Sequence, residues 1–364
     1  MAQTRVRRSW SVREYTGEDK AGVFELRKAV YGEAFDEQEW DWKYSHNSVR
    51  SARIFLVESD GMIVGTRPGI CLPSKVMDQV VTAGIYADVM THPDFRRLGI
   101  FSTLVREAFE KMNKEGIGLV FSFPNENSYP GLVKLGWTHI CSVPLLVMPL
   151  NFNNLVRKYT KITALQKLAS LLLGLLFKGL NLREGVGKTD CGDIVIQKIH
   201  SFDSRFDELW HKVSYQYDIA VVRDRRYLNW RYVDKPGQEY VIFAAEKEEE
   251  LAGYIVLKNN VEMFDLTLGL IVDMATIEDE RIASVLLSHA IKHLKDQETD
   301  SIGCLMLKHV ACYAALRKAG FIHVPELFSP KQFYFVGHTT SRVADSIAYD
   351  ADNWFLTFGD IDIV

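Results

Sequence analysis

The chain has 364 residues, 47% hydrophobic and 25% charged, with a net charge of −4. That is apolar material for two domains of ordinary size, and the charge is too evenly balanced for bulk nucleic-acid binding. Five cysteines without a CxxC pair, and no HExxH or Cys/His cluster, argue against a disulfide scaffold or a metal site and suit a reducing cytoplasm.

Met1 to Val12 carries Arg5, Arg7 and Arg8 but no apolar run after them, so no secretory signal is expected. Ser9 to Tyr15 reads as a strand. A helix follows, with Thr16 as its cap and Val23, Phe24, Leu26, Ala29 and Val30 on one face. Glu39 to Tyr44 is an aromatic cluster with charges between. Ile54 to Glu58 and Met62 to Thr66 predict a hairpin around Asp60-Gly61. Gly84 to Thr91 reads as a strand, Gly99 to Lys114 as a helix, Gly118 to Phe123 as a strand, and Tyr129 to Leu135 as a short helix opened by Pro130. Trp137 to Met148 closes this part with strand-like residues.

The second half runs through the same plan. Trp42-Lys43-Tyr44 is echoed by Trp230-Arg231-Tyr232, and Val64-Gly65 by Ala252-Gly253. Asp88 and Asp273, Arg96 and Arg281, and Val120 and Leu305 each stand 185 apart; Tyr129 and Tyr313 stand 184 apart. A spacing held over several elements predicts a duplicated domain. The boundaries expected are 1–150 and 193–338, with a linker over 151–192 and a tail over 339–364 packed on one domain.

Between the strand ending at Thr91 and the helix opening near Gly99 lies a tight basic loop. The first N–H groups of a helix have no internal partner and stand at the positive end of its dipole. Arg96 and Arg97 stand just before that end, so the loop suits a di- or triphosphate-sized anion. The second half has Arg281-Ile282-Ala283-Ser284 at the matching place, without the second arginine or the glycine, and is expected to lack the cradle.

Thr91 to Phe101 (Thr-His-Pro-Asp-Phe-Arg-Arg-Leu-Gly-Ile-Phe) resembles the acetyl-CoA-binding motif of the GNAT N-acetyltransferases, Arg/Gln-x-x-Gly-x-Gly/Ala at the start of a helix. The strand over 118–123 and the helix ending in Leu135-Gly136-Trp137 are similar to later elements of that family. The resemblance covers residues 9–148, and 194–336 as a degenerate second copy; the whole is similar to tandem GNAT proteins, some of which lie with surface-polysaccharide biosynthesis. It implies a mixed α+β fold, a mostly antiparallel sheet flanked by helices, in two tandem GNAT-like domains.

The resemblance also implies roles. Arg96, Arg97, Leu98, Gly99, Ile100, Phe101 and Ser102 would hold the pyrophosphate of acetyl-CoA, the co-substrate. Val89, Met90 and Thr91 would present backbone groups to the pantetheine arm, with Asn125 alongside; no metal is implied. Phe101 stands where the family has Gly or Ala. Leu132 stands where many members have a tyrosine that protonates the leaving thiolate; Tyr129, one turn earlier, is the candidate acid.

Deprotonating an amine needs a base. Asp88 and Glu39 are the candidates, with Asp41 and His46 as others. Trp40, Trp42 and Tyr44 are candidate walls of an acceptor pocket, or core. The expected function is acetyl transfer to a small amine or amino sugar by direct attack on the thioester. The alternatives are a non-catalytic acyl-CoA-binding subunit or sensor of a cell-surface glycan system, and transfer of another acyl or aminoacyl group. Leu168 to Phe177 is apolar but too short to span a bilayer; a helix buried between domains is the reading preferred over membrane contact.

Overall fold

A computed structural model describes residues 9–45, 51–151, 192–263, 266–329 and 331–361. The expected helix over 168–177, the linker around it and His46 lie outside the described residues.

The first part of the chain gives strand Ser11–Glu14 (β1), helices Lys20–Tyr31 (α1) and Glu37–Trp40 (α2), and strands Ser51–Ser59 (β2), Met62–Val76 (β3), Gln79–Tyr86 (β4) and Met90–Thr91 (β5). Helix Ile100–Lys114 (α3), strand Leu119–Ser122 (β6), helix Tyr129–Lys134 (α4) and strand Thr138–Ser142 (β7) follow. The Asp60-Gly61 hairpin forms where expected. Its second arm, however, runs on past Thr66 through Gly69 and Pro73 to Val76, ten residues that propensity marks as broken and that pairing with β2 and β4 holds extended.

The second part gives strands Leu145–Pro149 (β8) and Ile194–Ile199 (β9), helix Arg205–Ser214 (α5), strand Ile219–Val221 (β10) and helix Arg225–Tyr232 (α6). Strands Tyr240–Lys247 (β11), Glu250–Met263 (β12) and Leu266–Thr276 (β13), helix Glu280–Asp296 (α7), strand Ser301–Leu305 (β14), helix Ala311–Lys318 (α8) and strands Ile322–His323 (β15) and Tyr334–Thr339 (β16) complete it.

The chain divides into one unit of residues 1–141 and 334–349 and another of 142–333 and 350–364. The linear boundaries expected from the sequence therefore need correction. β8, expected to close the first domain, pairs with β14 and β15; β16 pairs with β6. The first sheet takes its penultimate strand, β16, from the second part of the chain: the orders are β1-β2-β3-β4-β6-β16-β7 in the first unit and β9-β11-β12-β13-β14-β8-β15 in the second.

The two sheets share strand order and register. In the first unit β4 runs parallel to β6, pairing Gly84 with Val120 and Tyr86 with Ser122; in the second β13 runs parallel to β14, pairing Gly269 with Ile302 and Ile271 with Cys304. A side chain on Gly84 would strike Met112 of α3, and one on Gly269 would strike Leu294 of α7, so both glycines let a helix lie close on its sheet. The buried faces of the helices match: Ile100, Leu104, Val105, Ala108 and Met112 answer to Ile282, Leu286, Leu287, Ala290 and Leu294.

These registers correct the spacing read from the sequence. β4 and β13 stand 185 apart, as expected, but α3 and α7, and β6 and β14, stand 182 apart. Val120 answers to Ile302, not Leu305, and Arg96 does not answer to Arg281. Twelve positions carry the chain from Asp88 to Ile100, but nine from Asp273 to Ile282. The loop before the helix is three residues shorter in the second unit.

Candidate functional site

β4 and β6 are held together up to Tyr86 and Ser122, where the Ser122 hydroxyl donates to the Tyr86 carbonyl at 2.9 Å. Beyond this clasp they part. The chain leaves the ladder at Ala87–Val89, with Asp88 at φ +48°, and rejoins β3 as β5, pairing Met90 with Thr66 and Thr91 with Gly65. The result is a cleft of about 750 Å³ between the two strand ends. Tyr86 to Thr91 line one side and Ser122, Phe123, Pro124, Asn125, Asn127 and Ser128 the other; Val30 and Tyr31 of α1, and Arg96, Phe101 and Gly131, complete it.

The expected basic loop stands at this cleft. Pro93–Phe95 forms one 3-10 turn, opened by His92 Nδ1 accepting from the Asp94 N–H at 3.2 Å and anchored by the buried ring of Phe95. Arg97 at φ +63° and Gly99 at φ +87° then turn the backbone through left-handed conformations, at no steric cost for the glycine. Gly99 is the N-cap of α3, and no side chain caps the helix. Its first amides, with the positive end of its dipole, are chemically suited to an anion beside Arg96. Phe101, where the resemblance implied a small residue, fits because Gly131 faces it; a side chain there would strike the ring.

Of the sequence-derived cofactor residues, Val89, Met90, Thr91, Arg96, Phe101 and Asn125 line the cleft. Arg97, Leu98, Gly99, Ile100 and Ser102 form the loop and first turn beside them. The Asn125 side chain is also structural: its Oδ1 accepts from the N–H groups of Asn127 at 3.0 Å and Ser128 at 3.1 Å.

The candidate catalytic residues fall in three places. Asp88 lines the cleft, and its Oδ2 accepts from Lys43 Nζ and the Tyr44 hydroxyl, each at 2.7 Å; Arg27 Nη1 stands 4.0 Å from Oδ1. Burial pushes this carboxyl up, but Lys43, Tyr44 and Arg27 outweigh the push and hold it below the ordinary carboxylate range. That is a fixed, charged carboxylate rather than a base poised near neutral pH. Tyr129 is half-buried at the start of α4, its ring stacked on Tyr334 at 4.1 Å and set edge-on to His139. Glu39 is exposed on α2 and is not among the residues lining the cleft.

The aromatic segment is core rather than pocket wall at Trp40, which is 1% exposed and ringed by Tyr15, Phe24, Phe35 and Tyr44. Trp42 is half-buried, and neither it nor Tyr44 lines the cleft; Tyr44 reaches it only through Asp88. Leu132 is buried in the core under α3. Sequence reasoning missed Tyr86, Ser122, Phe123 and Tyr31. The first two are set by where a parallel ladder stops, a pairing that no local pattern announces.

In the second unit the corresponding ground is closed. The ladder between β12 and β13 continues past Ile271 with a single bulge, pairing Asp273 with Val256 and Thr276 with Gly253. The helix α7 is capped by its own Asp279, whose carboxylate accepts from the Arg281 N–H at 2.8 Å and pairs with Lys247. Asp273 is 1% exposed and accepts from the hydroxyls of Tyr232 at 2.8 Å and Tyr254 at 3.1 Å. Arg223 lies between Asp273 and Asp360 of the C-terminal segment, at 3.2 and 2.6 Å, and Arg231 donates to the carbonyls of Gly359 and Ile361. The expected tail over 339–364 is thus divided: residues up to 349 belong to the first unit, and the segment from 350 belongs to this one, where its buried Asp360 is tied to Arg223.

Among the described residues no helix is long and apolar enough to cross a membrane, and no group of His, Cys, Asp and Glu could hold a metal. No curated protein matches the chain. A conserved Enterococcus faecalis V583 protein, described as a probable N-acyltransferase, is similar in structure at a TM-score of 0.64 and 11% identity, over 92% of this chain and 74% of its own. A GCN5-related N-acetyltransferase from Anabaena variabilis is similar at 0.62 and 11%, over 92% and 73%. Saccharomyces cerevisiae N-myristoyltransferase with bound myristoyl-CoA is similar at 0.56 and 12%, over 91% and 80%. Residues 11–140, which hold the cleft and its loop, match the family model of the acetyltransferase (GNAT) domain. The chain therefore carries a GNAT acetyltransferase domain, the domain of an acyltransferase.

Proposed function

We propose that the protein transfers an acetyl group from acetyl-CoA to the nitrogen of a small amine or amino sugar. The observation that carries this reading is the cleft between the parted ends of β4 and β6, which stands beside an uncapped helix N-terminus and Arg96. The amides of Ile100, Phe101 and Ser102, with Arg96 and Arg97, would take the pyrophosphate. The backbone of Val89, Met90 and Thr91 would take the pantetheine arm, and Asn125 would lie against it. Acetyl-CoA supplies an activated thioester; the amine attacks its carbonyl carbon, the C–N bond forms and the C–S bond breaks.

In this reading Asp88 stays charged and orients the incoming amine. Tyr129 is the acid for the departing sulfur in place of Leu132, so Tyr129→Phe should lower kcat by roughly 10²-fold or more. A loss under threefold would assign the departure of the thiolate to no side-chain acid. We infer further that the two units are a duplicated GNAT domain whose second copy has lost the cradle; the shared strand order and register support this.

The test is calorimetric binding of acetyl-CoA to the wild type and to an Arg97→Ala, Gly99→Glu variant, followed by thiol release over a panel of amines and amino sugars. Micromolar binding that the variant loses, with turnover on at least one amine, is expected. No binding by the wild type would sink the reading. Binding without thiol release across the panel would favour the acyl-CoA sensor, which the buried Leu132 at the acid position also suits.

A further inference from the structure

Arg67 of β3 is 1% exposed. Its guanidinium lies 3.7 Å from the centre of the Tyr86 ring and 5.4 Å from that of Trp137. Its Nε and Nη2 find no hydrogen-bond partner, and among the described residues no carboxylate pairs with it. Burial holds its pKa below the ordinary arginine value. A buried charge without a counter-charge is costly, and proteins ordinarily replace it with an apolar side chain where nothing else requires it.

The second unit shows that replacement. Gly65 and Thr66 pair with Thr91 and Met90, and Gly253 and Tyr254 pair with Thr276 and Ala275, so the next residue along, Arg67, answers to Ile255. Ile255 is fully buried, with Phe243 and Met274 opposite it on the neighbouring strands. The position accepts an aliphatic side chain in the unit whose ladder is closed and carries a cation in the unit whose ladder opens.

Its place in the ladder fits a part in the opening. Arg67 stands on β3 opposite the residues Ala87–Val89, where β4 leaves the sheet, and the ring it covers, Tyr86, lines the cleft. The Tyr86 hydroxyl is tied to Met112 Sδ, and burial pushes its own pKa up to about 12, so the tyrosine is a fixed neutral plate between the cation and the cleft.

We propose that Arg67 is a positioning residue for acyl transfer, acting through Tyr86: its uncompensated positive charge favours negative charge at the end of the cleft. The proposal rests on the acyltransferase reading. As the amine nitrogen bonds to the carbonyl carbon, the carbonyl electron pair moves to oxygen. It then returns to expel sulfur with its bonding pair, and the proton lost by nitrogen passes to solvent. Charge develops first on oxygen and then on sulfur, and a cation in a low-dielectric setting stabilises both more than the neutral thioester.

The experiment compares wild type, Arg67→Met and Arg67→Lys as full chains, with steady-state kinetics on an accepted amine, calorimetric acetyl-CoA binding and thermal unfolding. Arg67→Met should lose about tenfold or more in kcat, keep KM and Kd for acetyl-CoA within about twofold, and melt no earlier than the wild type. Arg67→Lys should recover most of the lost kcat. An unchanged kcat in Arg67→Met, a loss carried by KM, a lysine variant no better than methionine, or a methionine variant that does not fold would each overturn the proposal. A wild type that turns over no amine would instead defeat the acyltransferase reading itself, and this proposal with it.

Discussion

Asp88 and Asp273 occupy corresponding points in the two units, each accepting from the tyrosine of a Trp-Lys/Arg-Tyr segment. Around Asp88 the strand leaves its ladder, a cleft opens, and a long loop leads to a helix with a bare N-terminus. Around Asp273 the strand stays paired, the loop is three residues shorter, the helix is capped by Asp279, and the C-terminal segment seals the carboxylate under Arg223. The Asp–Tyr pair belongs to the frame and survives in both. What separates the open unit from the filled one is the length of one loop and the break in one ladder.

The sharpest way to break that contrast is at the seal. Arg223→Ala leaves Asp273 and Asp360 buried without their shared cation, and should cost about 3–5 kcal/mol in denaturant-induced unfolding. A cost under about 1 kcal/mol would mean that the tail is held by packing alone. The next effect tests the cradle. Gly99→Val forces a β-branched residue to φ +87°, and should weaken acetyl-CoA at least tenfold by calorimetry, while Arg281→Val at the corresponding turn leaves binding unchanged. Equal losses from both would deny the difference between the loops.

The paired tyrosines should give a smaller effect. Tyr232→Phe removes a hydrogen bond to a fully buried carboxylate and should cost about 1.5–3 kcal/mol. Tyr44→Phe should cost less, since Lys43 still holds Asp88; reversed order in urea midpoints would contradict the burial assigned to the two sites. The smallest effect is in acid, and the two units should differ in sign. Asp88 titrates below its ordinary value, so its contribution is complete above about pH 4 and is lost as pH falls through the lowered value. Asp360 is raised, by burial first and by the neighbouring Asp273, so its contribution is complete below about pH 4 and is lost as pH rises through the raised value. Unfolding free energy against pH should therefore flatten below pH ~4 in Asp88→Asn and above it in Asp360→Asn.

The sequence was most legible where chemistry is local. Arg96, Gly99 and the helix after them are read within a few residues, and the loop and helix form as expected, at the cleft. It was least legible where partners are remote. Pro68, Gly69 and Pro73 argue against the long β3, which neighbouring strands hold extended. Trp40 looked like a pocket wall because four aromatic residues that enclose it are spread from Tyr15 to Tyr44. The similar pattern in the two halves was visible, but one spacing of 185 carried past a three-residue shift. The shift shows in ladder register and in the buried face of α7, so a counterpart of the basic loop was sought at Arg281, although the loop before α7 is three residues shorter.

The place of β16 in the first sheet has a consequence for the order of assembly. The sheet carrying the cleft remains a strand short until Tyr334–Thr339 has left the ribosome, because β16 lies between β6 and β7. At a synthesis rate of about 5–20 residues per second, the nascent cleft domain waits roughly ten to forty seconds with the edge of β6 unpaired. During that time the growing polypeptide depends on whatever covers an open strand edge in the cell.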